Sequence, residues 1–329
     1  MKKILAAIMA ILMILTLTAC SDSPAEMPES TPDSTPESTP ATTDSVPTEP
    51  ESTESQPTET EPEPTETEPE PEPLVPADPL HVMSYNVYTG SPDRNRVKKV
   101  VNNIKSFDPD IIGVQELNHS WTVILNMVSD LLDVYAMVGK PRLDPADKSN
   151  NNEYSAILYK KDMFELIDTN TFWLSDTPDK VSKFESTEYY RIMTYAVLGR
   201  KSDGFRFIHF NTHLATDSTS RHKQIEILLS LAGTVLEKHG ELPLYFTGDF
   251  NMSQSDAGYK SMLGWMLEDT RTLSPTANHE STCGSSIIDY CFVSKGDFTV
   301  EEFDVGHGLE GSDHYPVYVK MRVNGTENQ

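Results

Sequence analysis

Our interpretation of the fold depends on one stretch in the last third of the chain, Leu244-Tyr245-Phe246-Thr247-Gly248-Asp249-Phe250-Asn251. Its first four residues are apolar, aromatic or β-branched, which predicts a buried strand. Asp249 and Asn251 follow at once, two residues apart, so on an extended segment their side chains project to the same side. Polar side chains that follow a buried strand leave the core at the edge of a sheet, where they can meet others.

Polar residues recur in the same way at the other predicted strands. In chain order these residues are Asn86, Glu116, His213, Asp289 and the pair Asp313-His314. Taken singly, each has an ordinary structural explanation, since a carboxylate after a strand commonly forms a turn or caps a helix. A single histidine is as often a hydrogen-bonded structural residue. Their repetition along the chain favours one shared site.

The hydrophobic pattern between these residues predicts both helices and strands. Apolar residues at helical spacing predict helices over 94–107, 121–132 and 220–239. Short apolar runs predict strands over 81–88, 110–115, 156–160, 164–171, 194–198, 205–211, 244–247, 287–293 and 317–322. Many strands mixed with a few helices favour stacked sheets flanked by helices.

Six motifs carry a resemblance to a known family. They are Ser84-Tyr85-Asn86-Val87, Gln115-Glu116, Asn211-Thr212-His213-Leu214, Gly248-Asp249-Phe250-Asn251, Ile288-Asp289-Tyr290 and Ser312-Asp313-His314-Tyr315-Pro316-Val317. In order and rough spacing they resemble the endonuclease/exonuclease/phosphatase superfamily. The resemblance covers essentially all of 80–329. It implies an α+β protein with the deoxyribonuclease I-like fold, a four-layer αββα sandwich.

The residue types suit hydrolysis of a phosphoester, which needs a hard cation, an in-line water and a proton donor. Glu116, Asp313 and Asn86 offer the oxygen ligands that Mg²⁺ or Mn²⁺ prefer. Asp249 can orient and deprotonate the attacking water, and the Asn251 amide can donate to a phosphoryl oxygen. We therefore predict a Mg²⁺ or Mn²⁺ site and a catalytic carboxylate at one sheet edge.

His213 and His314 are expected to flank the scissile phosphate, one protonating the leaving group and the other stabilising charge. Each needs a carboxylate to fix its tautomer. The resemblance implies that Asp289 orients His314 and that Glu153 orients His213, although Glu153 could also lie on a solvated strand edge. Arg191 is expected either to reach the substrate phosphate or to pair with an acidic residue near the site.

Charge is distributed unevenly along the chain. Residues 21–79 contain 17 Asp or Glu, no Lys or Arg and 15 of the 23 prolines. This composition has too little apolar surface to offset the entropy of ordering, so residues 20–79 are predicted to be a disordered tether. Residues 80–329, the predicted catalytic domain, carry a net charge of −10. They lack the basic stripe of a sequence-independent nucleic-acid binder, so a metal is expected to hold the substrate phosphate.

Residues 1–19 have the pattern of a signal peptide, with Lys2-Lys3 followed by an apolar run. The sequence Leu17-Thr18-Ala19-Cys20 resembles the bacterial lipoprotein signal, in which the cysteine is lipidated; the alternative is an ordinary secretory signal. We therefore expect an extracytoplasmic protein that is lipid-anchored to the bacterial cell membrane through Cys20 and exposed at or beyond the cell wall.

These features predict a surface-anchored, divalent-metal-dependent phosphoesterase, expected to be a monomer. The first expectation for its substrate is a phosphodiester, as for a nuclease. The alternatives are a phospholipid, as for a sphingomyelinase, and a sugar or inositol phosphate. A non-enzymatic alternative is a catalytically silent surface-binding lipoprotein. Cys283 and Cys291 could pair across a hairpin or remain buried free thiols.

Overall fold

The structure is a computed structural model that describes residues 78–324. The predicted signal peptide, the lipidation site Cys20 and the tether up to residue 77 lie outside the described residues. In the part of the chain that is described, no helix combines the length and the apolar character needed to cross a membrane.

Two six-stranded sheets form the centre of the fold. The strands are β1 (Leu80–Asn86), β2 (Ile111–Leu117), β3 (Tyr135–Val138), β4 (Tyr154–Lys160), β5 (Phe164–Trp173), β6 (Ile192–Arg200), β7 (Arg206–His213), β8 (Leu244–Asp249), β9 (Leu267–Asp269), β10 (Asp289–Ser294), β11 (Phe298–Val305) and β12 (Val317–Val323). The first sheet has the order β11-β12-β1-β2-β4-β3, and the second has the order β5-β6-β7-β8-β10-β9.

Helices cover the outer faces of the two sheets. They are α1 (Arg94–Phe107), α2 (His119–Val128), α3 (Leu131–Val134), α4 (Ser218–His239), α5 (Ala257–Gly264) and α6 (Thr270–Leu273). Helix α1 connects the parallel pair β1 and β2, and α4 connects the parallel pair β7 and β8. These are the crossover connections that parallel strands require.

Three apolar clusters separate the layers. One packs α1 and α2 on the first sheet and includes Val97 and Trp121. A second fills the space between the sheets, with Val82, Ile157 and Phe207 among its members. A third packs α4 and α5 on the second sheet. This arrangement confirms the predicted four-layer αββα sandwich.

The sheets approach each other closely at Gly113, in β2. A Cβ atom at this position would lie 1.9 Å from Oγ1 of Thr247 in β8. Gln115 and Asn211 are also buried between the sheets, where Nε2 of Gln115 donates to Oδ1 of Asn211 at 2.7 Å. A polar layer therefore lies directly under the strand ends that carry the candidate site.

Most boundaries agree with the sequence-based prediction, but some elements were missed. The predicted helix over 121–132 is two helices, because Ser129 takes an extended conformation with φ of −149°. Strand β11 was missed because a register shift between Val300 and Glu302 breaks its alternating pattern. Strand β9 was missed because it has three residues. Cys283 and Cys291 are free thiols.

Candidate active site

Strand register in the second sheet brings three of the predicted residues side by side. His213 ends β7 and is the register partner of Asp249, which ends the parallel strand β8. On the other side of β8, Asp289 begins the antiparallel strand β10 and is also the register partner of Asp249. Because the three residues share one row across the sheet, their backbones meet at one edge, as the sequence predicted.

The first sheet contributes Asn86 and Glu116 from the ends of β1 and β2. Glu116 has a left-handed backbone conformation with φ of 62°, and the register between β2 and β4 shifts between Val114 and Leu117. Such a bulge redirects a side chain. Here it directs Glu116 to Asn86, whose Nδ2 donates to Oε1 of Glu116 at 3.1 Å.

Asn86 also joins the two sheets. Its Nδ2 donates to Oδ2 of Asp249 at 3.1 Å, while its Oδ1 accepts from the backbone N–H of Tyr88 at 3.0 Å. The Tyr88 N–H can only donate, so it fixes the orientation of the amide. Asn86 therefore presents hydrogen atoms to the carboxylates and keeps its oxygen away from them. The prediction that Asn86 is a metal ligand does not agree with this geometry, which makes it a bridge between Glu116 and Asp249.

Asp249 lies at the centre of the site and is 2% exposed. Its Oδ2 lies 3.4 Å from Nε2 of His213 and 3.7 Å from Nε2 of His314. Burial and the nearby Asp289 raise the pKa of Asp249 to about 7, although His314 and two hydrogen bonds oppose the change. A buried carboxylate with a pKa close to neutrality is suited to exchanging a proton with water.

His314 is held by Asp289, as predicted. Nδ1 of His314 lies 2.9 Å from Oδ2 of Asp289, and both residues are buried. Burial alone lowers the pKa of His314, but the carboxylates of Asp289, Asp249 and Asp313 outweigh it and raise the pKa to about 10. The imidazole is therefore a cation at neutral pH and can donate a proton from Nε2.

His213 has the opposite character. Burial, together with the positive charges of Arg191, Arg142 and His314, holds the pKa of His213 well below its usual value, so its imidazole is neutral. Its buried Nδ1 has no hydrogen-bond partner among the described residues. The predicted contact of Glu153 with His213 is not formed in this structure, in which the carboxylate within ion-pair distance of His213 is that of Asp249.

Glu153 is instead paired with an arginine that the sequence analysis did not single out. Oε2 of Glu153 lies 2.8 Å from Nη1 of Arg142, and both side chains are buried. Arg142 lies in the loop between β3 and β4, in a Pro-Arg dipeptide with no motif spacing. Its one sequence signal is a glutamate 11 residues later. Arg191 lies beside this pair, directly before β6.

Asn251 lies next to Asp249 but not on an extended segment as predicted. It has a left-handed conformation with φ of 50°. Its backbone N–H donates to Oδ1 of Asp249 at 2.9 Å, and its Nδ2 donates to the carbonyl of Leu214 at 2.9 Å. The second Nδ2 hydrogen remains for a ligand, because a side-chain amide has two donor hydrogens.

The carboxylates of the site fit a hard divalent cation. Four carboxylates lie close enough to affect the Cys283 thiol: Asp289, Asp313, Asp249 and Glu116. Burial and these negative charges raise the pKa of the thiol to about 11. Of the four, Asp313 is exposed and Glu116 is partly exposed, so these two can be reached from solvent. Oxygen donors with excess negative charge are what Mg²⁺ and Mn²⁺ bind.

A second group of possible metal ligands lies deeper. Ligand atoms of Asp249, Asp289 and His314 lie within 4.8 Å of one another, close enough to share a metal ion. A metal there would have to displace the proton from His314. The raised pKa of His314 opposes this exchange, and the imidazolium itself already supplies the positive charge. Glu116 and Asp313 remain the ligands predicted from the sequence.

A groove of about 860 Å³ opens beside Asp313. It is lined on one side by Gly311 and Ser312 and on the other by Tyr88 and the first turns of α1, including Arg94. Tyr88 has a φ of 59° and is 43% exposed. The groove gives a molecule larger than a single phosphate access to the carboxylates.

Comparison with known proteins agrees with the family resemblance of the sequence motifs. The model of the Endonuclease/Exonuclease/phosphatase family matches residues 83–314, which is more than half of the chain. A search of curated proteins finds no significant match.

Three solved structures illustrate the similarity. An endonuclease/exonuclease/phosphatase from Bacteroides vulgatus is 24% identical with a TM-score of 0.67, over 75% of this chain and 100% of that chain. The mannosyl-6-phosphatase of Bacteroides thetaiotaomicron is 26% identical with a TM-score of 0.63, over 74% of this chain and 99% of that one. The catalytic domain of human Nocturnin is 20% identical with a TM-score of 0.61, over 76% and 97%.

Proposed function

The chain belongs to the endonuclease/exonuclease/phosphatase family, and we propose that it is a divalent-metal-dependent phosphoesterase with Asp249 and His314 at its catalytic centre. The observation that carries this proposal is the pair of unlike histidines on one carboxylate. Nε2 of neutral His213 and Nε2 of charged His314 lie 3.4 Å and 3.7 Å from the same oxygen of Asp249. A purely structural role does not require one neutral and one charged histidine beside the same carboxylate.

In the proposed reaction, Asp249 accepts the proton of the attacking water, because its pKa of about 7 lets both protonation states exist near neutrality. Asn86 and the Asn251 backbone hold the carboxylate in position. His314, kept charged by Asp289, donates from Nε2 to the phosphate or to its leaving oxygen. His213 remains neutral and donates a hydrogen bond without carrying charge.

The family is generally metal-dependent, and the carboxylates of Glu116 and Asp313 would hold the cation. When bound, Mg²⁺ or Mn²⁺ would neutralise charge that develops on the phosphate. Arg191, which lines the pocket beside His213, is proposed to contact a phosphate oxygen. The two sides of the site thus supply positive charge from different sources.

The proposed substrate is a phosphoester, and the members of the superfamily differ in which phosphoester they cleave. The sequence-based expectation is a phosphodiester, as for a nuclease. A sugar phosphate is the second candidate, and the similarity to a mannosyl-6-phosphatase supports it. A phospholipid is the third. We also propose that Cys20 anchors the protein to the outer face of the membrane, on the sequence argument alone.

The test is hydrolysis by the purified full-length protein in Mg²⁺ of plasmid DNA, RNA, sphingomyelin, mannose 6-phosphate and bis-p-nitrophenyl phosphate. Asp249→Asn is the matched control, because it keeps the shape of the side chain and removes the base. Hydrolysis of at least one substrate that is lost in Asp249→Asn supports the proposal. Activity that survives this replacement, or inactivity on every phosphoester, would favour a surface-binding lipoprotein.

A further inference from the structure

A buried arginine without an acidic partner lies beside the catalytic carboxylate. Arg191 is 7% exposed, and among residues 78–324 its guanidinium makes no hydrogen bond or ion pair. Asp249, Glu116 and Glu153 are close enough to affect its pKa, as is Arg142, whose like charge lowers it. A buried cation without a paired anion is costly. Its position therefore suits an anion that binds from outside.

Arg142 adds a second guanidinium to the same pocket. It is 4% exposed, and its Nε donates to the carbonyl of Asn151 at 2.6 Å while Nη1 pairs with Glu153. Among residues 78–324, Glu153 is the one carboxylate within ion-pair distance of either guanidinium, and it pairs with Arg142. The guanidinium of Arg191 is left without a direct partner, and guanidinium groups are well suited to phosphate oxygens.

Tyr189 covers both arginines from the solvent side. The centre of its ring lies 4.9 Å from Cζ of Arg142 and 5.7 Å from Cζ of Arg191, and the residue is 40% exposed. These are cation–π distances. The cavity between Arg142, Arg191 and His213 is about 10 Å³, which is the space of about one oxygen atom. A cavity of this size does not hold a second esterified group.

The two sides of the site therefore differ in shape. On the side of Asp313 the groove of about 860 Å³ accepts a large group, whereas the arginine side accepts single oxygen atoms. We propose that Arg142 and Arg191, covered by Tyr189, bind the unesterified oxygens of a terminal phosphate. The enzyme is then a phosphomonoesterase whose leaving group lies in the groove. This inference rests on the proposed phosphoesterase function.

The charge of the substrate follows the same reasoning. A phosphate monoester carries close to two negative charges and three unesterified oxygens, whereas a diester has one negative charge and two such oxygens. The additional oxygen and charge match the unpaired guanidinium. In the reaction a water oxygen bonds to phosphorus and the bond from phosphorus to the leaving oxygen breaks. The products are an alcohol, protonated at that oxygen, and inorganic phosphate.

The first measurement compares p-nitrophenyl phosphate with bis-p-nitrophenyl phosphate, using the full-length protein in Mg²⁺. We expect kcat/KM to favour the monoester at least about 10-fold, since one charge-assisted contact to phosphate accounts for about that factor. In Arg191→Gln the monoester should lose roughly 100-fold and the diester less than about 5-fold. Arg206→Gln, which changes an exposed arginine at the start of β7, is the matched control and should change neither.

The second measurement does not depend on turnover. Calorimetric titration with inorganic phosphate in EDTA should show binding by the wild type that is at least about 10-fold weaker in Arg191→Gln. Because replacing a buried arginine could unfold the protein, the exposed Tyr189 provides an independent variant. Tyr189→Ala should raise diester hydrolysis relative to monoester hydrolysis, and Tyr189→Phe, which keeps the ring, should retain the preference for the monoester.

The outcomes separate this inference from the function on which it rests. Preference of the wild type for the diester, or equal phosphate binding by wild type and Arg191→Gln, would overturn the subsite. If the full-length protein hydrolyses neither ester but binds phosphate through Arg191, the subsite stands and the proposed function falls. Loss of monoester preference in both Arg191→Gln and Tyr189→Ala supports the inference as stated.

Discussion

Oδ2 of Asp289 lies 2.9 Å from Nδ1 of His314, and this contact leaves Nε2 on the far edge of the ring to face Asp249. One nitrogen of the imidazole thus orients the ring, and the other is the proposed proton donor. Asp289 is 1% exposed and His314 is 6% exposed, so water does not compete for the contact. The pair therefore acts as one unit, which can be tested.

Replacement of His314 by Ala should reduce kcat by about 10²–10⁴-fold, as expected for the loss of a general acid, with little change in melting temperature. Asp289→Asn should reproduce much of this loss by releasing the ring. The double variant should lose far less than the product of the two single losses, because groups that act as a unit fail together. The measurement is a four-member cycle of turnover numbers on one phosphoester.

Melting curves of the same four proteins are the control for this cycle. If His314 is only structural, its removal should cost about 1–3 kcal/mol of stability through lost hydrogen bonds. Activity would then decrease only as the folded fraction does. Additive losses of turnover, or losses that follow the melting temperature, would contradict a catalytic role for the pair.

Chelation of divalent metal by EDTA should abolish hydrolysis, and Mg²⁺ or Mn²⁺ should restore it. Glu116→Gln removes one ligand charge and should raise the metal concentration needed for half-maximal activity by about 10-fold or more, with an unchanged fold. The readouts are activity against metal concentration and circular dichroism. Full activity in EDTA would remove the metal from the proposal.

Asn86→Ala tests whether Asn86 is a bridge or a ligand. The structure places Nδ2, not Oδ1, against Glu116 and Asp249. The variant should therefore lose kcat by roughly 10–100-fold, the value of a hydrogen bond to a charged group. Its half-maximal Mg²⁺ concentration should stay within about 3-fold of wild type. A shift of that concentration to match Glu116→Gln would restore the sequence-based prediction that Asn86 binds the metal.

His209 should make folding stability depend on pH. It is fully buried, donates or accepts one hydrogen bond with Thr247, and stacks on Tyr245. Burial lowers its pKa to about 3, whereas an unfolded histidine has a pKa of about 6.5. As the pH falls, the unfolded state therefore binds a proton at a higher pH than the folded state does. Stability is complete above pH 6.5 and decreases as the pH falls from 6.5 towards 3, by up to about 1.4 kcal/mol per pH unit.

Urea denaturation of wild type and His209→Gln at several pH values measures this contribution. Glutamine retains a polar group near Thr247 but does not titrate. The difference in unfolding free energy between the two proteins should thus shrink as the pH falls below 6.5. A difference that stays constant between pH 7 and pH 4 would show that His209 is protonated in the folded state.

Cys20→Ala should release the protein from the membrane fraction into the medium, because Cys20 is the proposed lipid attachment site. The melting temperature of the catalytic domain should not change, since the replacement lies far along the chain from Leu80, where β1 begins. Immunoblots of membrane and culture supernatant measure the distribution. Retention of the variant in the membrane fraction would exclude lipidation as the anchor.

Sequence alone predicted the strands whose residues are apolar on both faces. The run over 194–198 is an example, because Tyr195 and Val197 pack on the side of α4 while Ala196 and Leu198 pack between the sheets. Strand β11 was not predicted from the sequence. Its buried and exposed residues alternate only on either side of a bulge, and a bulge has no signature in composition.

The candidate site was predicted in its members but not in all its contacts. Asp249, Asp289 and His314 meet because their strands end in one row, and a polar residue at the end of an apolar run is visible in sequence. The orientation of Asn86 depends on the Tyr88 N–H, and the charge of each histidine depends on neighbours distant in sequence. These properties follow from three-dimensional packing.

The net charge of residues 80–329 was the least informative observation. A net charge of −10 indicates no affinity for phosphate, yet Arg142 and Arg191 lie together in the pocket beside His213. The two arginines are 49 positions apart, and each looks ordinary in its own segment. A net charge summed over 250 residues does not reveal two positive charges that the fold brings into one pocket.

The hydrogen bond from Asn86 to Asp249 spans the two sheets, since β1 belongs to the first and β8 to the second. Either sheet alone has only part of the constellation. Recovery of enzymatic activity during refolding should therefore report the docking of one sheet on the other, because the proposed site is complete only after they dock. Secondary structure that forms earlier would not be detected by the activity assay. The delay between the circular dichroism signal and the recovery of activity would measure how long the two sheets take to dock.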